Sequence, residues 1–110
     1  MQPNYKPPFK KFVKKQHPPL QLAIEDAVDE IVEDPTIGEP KTGDLKGVFV
    51  FKFIWNNVEY LIAYHPPTDE ETLEVGMDVD LLYIDFYKVG THENFYADLK
   101  KIPEVLGAQR

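Results

Sequence analysis

The sequence predicts an α+β fold: an N-terminal helical hairpin packed on a small antiparallel sheet of three to four strands, followed by a C-terminal helix. Three observations predict it. Apolar residues from Leu20 to Val32 recur at intervals of three and four, the period of a helix with one buried face. The stretch from Val48 to His65 is β-branched and aromatic on both sides of Asn56-Asn57, the pattern of a hairpin. From Asp80 to Lys88, Tyr83, Asp85 and Tyr87 alternate with Leu82, Ile84, Phe86 and Lys88, which reads as a further strand.

At 110 residues the chain is expected to be one domain. Pro3, Pro7 and Pro8 leave residues 1–7 irregular beyond a short extended piece. Residues 8–16 set Phe9, Phe12 and Val13 against lysines, a short amphipathic helix that His17-Pro18-Pro19 ends. Residues 19–34 form the longer helix, with Pro19 in its first turn and Asp34-Pro35 as its stop. Pro35, Gly38, Pro40 and Gly43 make residues 35–46 a loop.

In the hairpin, Asn56-Asn57 is suited to a two-residue turn, because Asn tolerates positive φ. The register then sets Trp55 opposite Val58, Phe53 opposite Tyr60, Phe51 opposite Ile62 and Phe49 opposite Tyr64, all eight on the face that packs on the helices. The other face carries Val48, Val50, Lys52, Ile54, Glu59, Leu61, Ala63 and His65, a half-apolar surface suited to a site or a partner. Residues 66–79 form a long acidic connection. Gly90 is expected to turn the chain, Thr91 to cap the last helix and His92 to begin it; that helix runs to Ile102, buries Phe95 and Leu99, and leaves 103–110 as a tail.

Composition narrows the chemistry. There is no cysteine, hence no disulfide and no thiolate metal site. His65 and His92 have no third ligand at metal-binding spacing, and no metal or cofactor is implied. No apolar run is long enough to span a membrane and no signal peptide is apparent, so a cytoplasmic protein without membrane partners is expected. Residues 1–24 carry five lysines and no acid, while the rest carries the other seven basic groups and all 19 acids, a balance of +5 against −12. An acidic body argues against broad nucleic-acid affinity, which depends on neutralising phosphates. Lys10, Lys11, Lys14 and Lys15, with Lys46 beyond them, make a local basic surface that can meet RNA or an acidic partner, or serve as a solvated helix face.

The chemistry-bearing stretch is Lys88-Val-Gly-Thr-His92-Glu-Asn-Phe-Tyr96. Lys88, His92 and Tyr96 stand four residues apart, a cation, an imidazole and a phenol at a strand-to-helix corner. Such a set can bind or cleave a phosphodiester. Each residue also has a plain structural role open to it: His92 in fixing the helix start, Tyr96 in packing, Lys88 in guarding a strand edge and Lys52 as a solvated lysine.

The order helix, helix, three antiparallel strands, helix, with Gly43-Asp-Leu-Lys-Gly47 opening the first strand, the tyrosines Tyr60 and Tyr64 in the second and Lys88–Leu99 closing the chain, resembles the RelE/ParE superfamily of toxins from bacterial type II toxin–antitoxin systems over about residues 8–102. The closing corner is most similar to the YafQ-like branch of ribosome-dependent mRNA interferases, in which an Arg ends the last strand, a His follows four residues later and an aromatic four after that. Those positions are Lys88, His92 and Tyr96 here. By position in the first sheet strand, Lys52 is the matching basic group. Lys88 keeps the charge of the Arg but loses its bidentate grip on phosphate.

The resemblance implies a toxin neutralised by a cognate antitoxin, without a cofactor, acting on mRNA at the ribosome as an endoribonuclease. RNA cleavage by side chains then needs a base for the 2′-hydroxyl, cations for the phosphorane and an acid for the leaving 5′-oxygen. His92 fits the acid/base role, since its charge changes near neutral pH. Its expected place at a helix start favours the neutral ring, with Glu93 opposing. Lys88 and Lys52 would stabilise the developing charge, and Tyr96 would stack on a base or donate a proton. Two alternatives stay open: a ParE-like inhibitor of DNA gyrase acting by binding, and an attenuated toxin fold that only binds its antitoxin.

Overall fold

In a computed structural model of the protein, which describes residues 1–107, the elements run β1 (Gln2–Tyr5), α1 (Pro7–Lys14), α2 (Pro18–Glu33), β2 (Glu39–Pro40), β3 (Phe49–Trp55), β4 (Val58–His65), α3 (Asp69–Val75), β5 (Tyr83–Thr91), α4 (Phe95–Leu99) and α5 (Pro103–Gly107). The strands form one sheet in the order β1-β5-β4-β3-β2. β1 lies parallel to β5, and the other pairs are antiparallel. Among the described residues no helix is long and apolar enough to cross a membrane.

The hairpin follows from local chemistry. Asn56 and Asn57 take positive φ values of 52° and 63°, the left-handed conformation that a tight two-residue turn requires. The register is the expected one, from Trp55 opposite Val58 to Phe49 opposite Tyr64. The two edge strands each contain a proline, Pro3 in β1 and Pro40 in β2, where its missing N–H is tolerated.

One face of the sheet packs on α1 and α2. Its core joins Phe9, Leu20, Ile24, Ala27, Val28 and Ile31 of the helices to Tyr60, Ile62, Tyr64, Ile84, Phe86 and Val89 of the strands. Phe86 is fully buried, with the rings of Tyr5, Phe9 and Tyr64 at 5.5, 5.6 and 6.0 Å. Tyr64 ties the following loop to this core. Its hydroxyl donates to the Pro35 carbonyl at 2.6 Å and accepts from the Gly38 N–H at 3.0 Å. Burial pushes its phenol pKa up to about 12. A Cβ on Gly38 would stand 2.5 Å from that hydroxyl, so only glycine fits.

The structure corrects the sequence reading in several places. Residues 2–5 are a strand rather than irregular, because β5 offers them a free edge to pair with. The connection after β4 holds α3, which Thr68 and Glu71 cap reciprocally. The last strand is Tyr83–Thr91, not Asp80–Lys88. Gly90 therefore lies inside β5 opposite Leu61 and does not turn the chain, and Thr91 pairs with Tyr60 instead of capping a helix. The chain turns at Asn94, in the left-handed conformation at φ 57°. The expected single helix 92–102 is two short ones, α4 and α5, with Pro103 starting the second. Phe95 and Leu99 are buried as expected, and Val105 of the expected tail is buried with them. Residues 108–110 of that tail lie outside the described residues.

Candidate functional site

The second face of the sheet is where the charged residues collect. Its lower half is closed: Val48, Val50, Leu61, Ala63 and Tyr87 pack under Leu45, Phe95, Leu99, Ile102 and Val105. The face is thus less open than expected, because the short C-terminal helices fold back over it. Its upper half stays accessible, with Lys52, Ile54 and Glu59 exposed.

A bulge in β5 sets the position of Lys88. Ala63 pairs with Lys88, but its neighbour Tyr64 pairs with Phe86, so β5 carries one extra residue there. The strict alternation read from the sequence put Lys88 with Ile84 and Phe86. The bulge instead sets it opposite Ala63 on the second face, beside Tyr87. Lys88 Nζ lies 5.8 Å from the centre of the Phe95 ring.

Asn94, by turning the chain back, brings His92 and Tyr96 together. Their rings are 5.9 Å apart at 72°, edge to face. Phe95 and Tyr96 meet at 5.4 Å and 83°. Lys88, Phe95, Tyr96 and His92 therefore form one continuous run of contacts. His92 is exposed and lies in the turn before α4, not in the helix as expected. Its ring makes no hydrogen bond among the described residues.

Sequence reasoning missed Lys41. Glu39 of β2 pairs with Val50, and the Lys41 N–H donates to the Val48 carbonyl at 2.9 Å, which holds this segment along the sheet edge. Lys41 Nζ donates to Glu39 Oε1 at 3.0 Å and lies 5.2 Å from the centre of the Tyr96 ring. Its side chain is only 20 % exposed. Burial works against the ammonium, but Glu39 and the Tyr96 hydroxyl outweigh it and hold its pKa above the ordinary lysine value. The Lys41 hydrogen bond, with smaller help from Lys52, holds Glu39 below the usual carboxylate range. The available signal was Glu39-Pro40-Lys41, where a proline-bearing edge strand sets residues two apart on one face.

Not every expected residue joins the cluster. Lys52 shares the face, in the row that runs through Leu61 to Gly90, and is exposed. Lys10, Lys11 and Lys14 are exposed on α1 and Lys15 just beyond its end, across the sheet from His92. Lys46 is exposed after the 3-10 turn Gly43–Leu45. Among the described residues no group of three or more His, Cys, Asp or Glu side chains could hold a metal. The arrangement offers an exposed imidazole beside a phenol, with three ammonium groups on one sheet face: a surface that can accept a phosphate backbone and exchange protons with it.

Comparison with known proteins bears on the family and the fold. A family model described as ParE-like toxin of type II bacterial toxin–antitoxin system matches residues 4–100. No curated protein matches the chain. Among solved structures, the crystal structure of the intact E. coli RelBE toxin–antitoxin complex contains a similar chain, with a TM-score of 0.60 and 16 % identity, covering 84 % of this chain and 96 % of that one. At that identity the likeness is one of fold.

Proposed function

This chain belongs to the ParE-like toxins of type II bacterial toxin–antitoxin systems, and we propose that it is a ribosome-dependent mRNA interferase of the cytoplasm, neutralised by a cognate antitoxin. The observation that carries the proposal is the His92–Tyr96 pair, flanked by the half-buried Lys41 and Lys88 at the margin of the partly covered sheet face.

In this reading His92 takes the proton of the attacking 2′-hydroxyl, and the oxygen so activated displaces the 5′-oxygen at phosphorus to leave a 2′,3′-cyclic phosphate. Lys88 and Lys41 offset the charge that develops on the phosphorane, and Lys52, further along the same face, draws the RNA backbone toward it. Tyr96 stacks on a base or donates the proton to the departing 5′-oxygen. The ribosome holds the message in place, which lets a sparse site suffice. The antitoxin proposal draws support from the family and from the similar fold's occurrence in a toxin–antitoxin complex.

A second reading, inhibition of DNA gyrase by binding alone, is favoured by the ParE-like character of the family and by the ammonium that stands at position 88. The two separate in one experiment: the purified protein is added to ribosomes programmed with a defined message, and in parallel to gyrase with relaxed plasmid. New 3′ ends within the message, with supercoiling unaffected, support the interferase. Intact message with supercoiling blocked supports the gyrase reading and removes the first.

A further inference from the structure

We propose that two copies of this protein pair about a two-fold axis, the acidic lobe of each, residues 66–82, entering the basic groove between α1 and α2 of the other. Two observations of different kinds meet here, an apolar protrusion without cover and an apolar groove of opposite charge.

The lobe touches the body at its ends, through Leu82 and the Met1–Asp80 pair, but its helix α3 has no cover. α3 has a complete capping box, with Glu71 N–H donating to Thr68 Oγ1 at 3.1 Å and Thr68 N–H donating to Glu71 Oε1 at 3.1 Å, yet buries no residue. A helix of seven residues is marginal in water without a packing partner. Its apolar side chains face solvent: Leu73 is 82 % exposed, Met77 99 % and Leu81 61 %. Large exposed apolar side chains gathered in one segment mark an interaction surface. Residues 66–82 carry six acids and no base, so a partner must supply both an apolar seat and positive charge.

The same chain has such a seat. A groove of about 580 Å³ runs between α1 and α2, with Phe9, Val13, Ile24 and Val28 in its lining and Lys10 and Lys14 beside them; Glu25 is the one acid of the lining, and Asp29 also acts on the Tyr5 hydroxyl there. The lysines of α1 are in no salt bridge among the described residues. The lobe joins the sheet at Tyr83, which pairs with Gln2, whereas α1 starts from the far end of β1 and reaches Gly90 with Phe12. Each copy thus carries both halves of a contact at separate places. Exchange of both halves closes a pair with two equivalent contacts.

The test is the mass in solution at low salt, by sedimentation equilibrium, for the wild type, a lobe variant (Leu73→Lys with Met77→Lys) and a groove variant (Lys10→Glu with Lys14→Glu). All four positions are exposed, which spares the fold. The wild type is expected to dimerise below about 100 µM, and each variant to dissociate at least about tenfold more readily, since buried anchors dominate such contacts. Added salt weakens the pair, because the charges are screened. Mixing the two variants restores one intact contact and recovers dimer that neither forms alone. A monomeric wild type, a dimer indifferent to both variants, or a mass that climbs past two copies overturns the proposal. So does a groove variant that loses antitoxin binding while its mass stays unchanged, which would assign the groove to the antitoxin.

Discussion

On one side of the sheet, two helices of 8 and 16 residues lay a contiguous apolar surface over Tyr60, Ile62, Tyr64, Ile84, Phe86 and Val89. On the other, two helices of five residues cover only part of the strands, and lysines, His92 and Tyr96 occupy the margin. The difference teaches how this small domain divides its work. The side packed on α1 and α2 supplies cohesion, and its residues are large, aromatic and tightly enclosed. The opposite side carries the proposed chemistry, because incomplete cover leaves polar groups in contact with solvent.

The contrast can be broken most severely at Phe86. Phe86→Ala removes a fully buried ring that three other aromatics touch, and is expected to cost about 3–5 kcal/mol in urea unfolding. Leu99→Ala, equally buried but on the chemical side, is expected to cost about 2–3 kcal/mol. Hydrogen exchange sharpens the comparison: Leu99→Ala should speed exchange in α4 and α5 while α1 and α2 stay protected, whereas Phe86→Ala should speed exchange throughout. Equal effects everywhere would show that the two sides unfold as one unit.

Tyr64→Phe is a smaller change. It keeps the ring and removes the hydroxyl that accepts from Gly38 and donates to Pro35. A buried N–H left without its partner costs about 1–3 kcal/mol, read as a lower urea midpoint at an unchanged slope.

The smallest expected effect is a pH dependence. Nδ1 of His65 is buried without a partner, and burial depresses the ring's pKa below 6.5 despite the opposing charges of Asp85 and Glu71. The unfolded chain then binds a proton that the folded chain refuses. The contribution is therefore fully present above about pH 6.5 and is lost as pH falls toward the folded value. Stability is expected to decline from pH 7 toward pH 5, and His65→Phe should flatten that decline.

The hairpin was legible because its side-chain period of two, with one buried face, permits a single register, and because Asn56-Asn57 specifies the turn. β1 was not, since a four-residue strand containing Pro3 has no pattern of its own and forms only because β5 presents an edge. The chemical margin was half legible. His92 and Tyr96 stand together as their spacing suggested, yet they meet through the left-handed turn at Asn94 and not through a shared helix face. Lys88 was found, but assigned to the wrong side of the strand, because a bulge inserts one residue without any mark in the alternation. Lys41 depends on a contact 55 positions away in the chain, with Tyr96, which no local pattern encodes.

In the proposed mechanism His92 is the acid/base group of this margin. The most direct measurement is the rate of message cleavage on isolated ribosomes by wild-type protein, by His92→Ala and by Glu30→Gln, an exposed change on α2. The expected result is a loss of about 10²–10⁴-fold for His92→Ala, the usual worth of general acid–base catalysis, with Glu30→Gln within about twofold of wild type. Cleavage by His92→Ala at the wild-type rate, or no cleavage by any of the three, would contradict it.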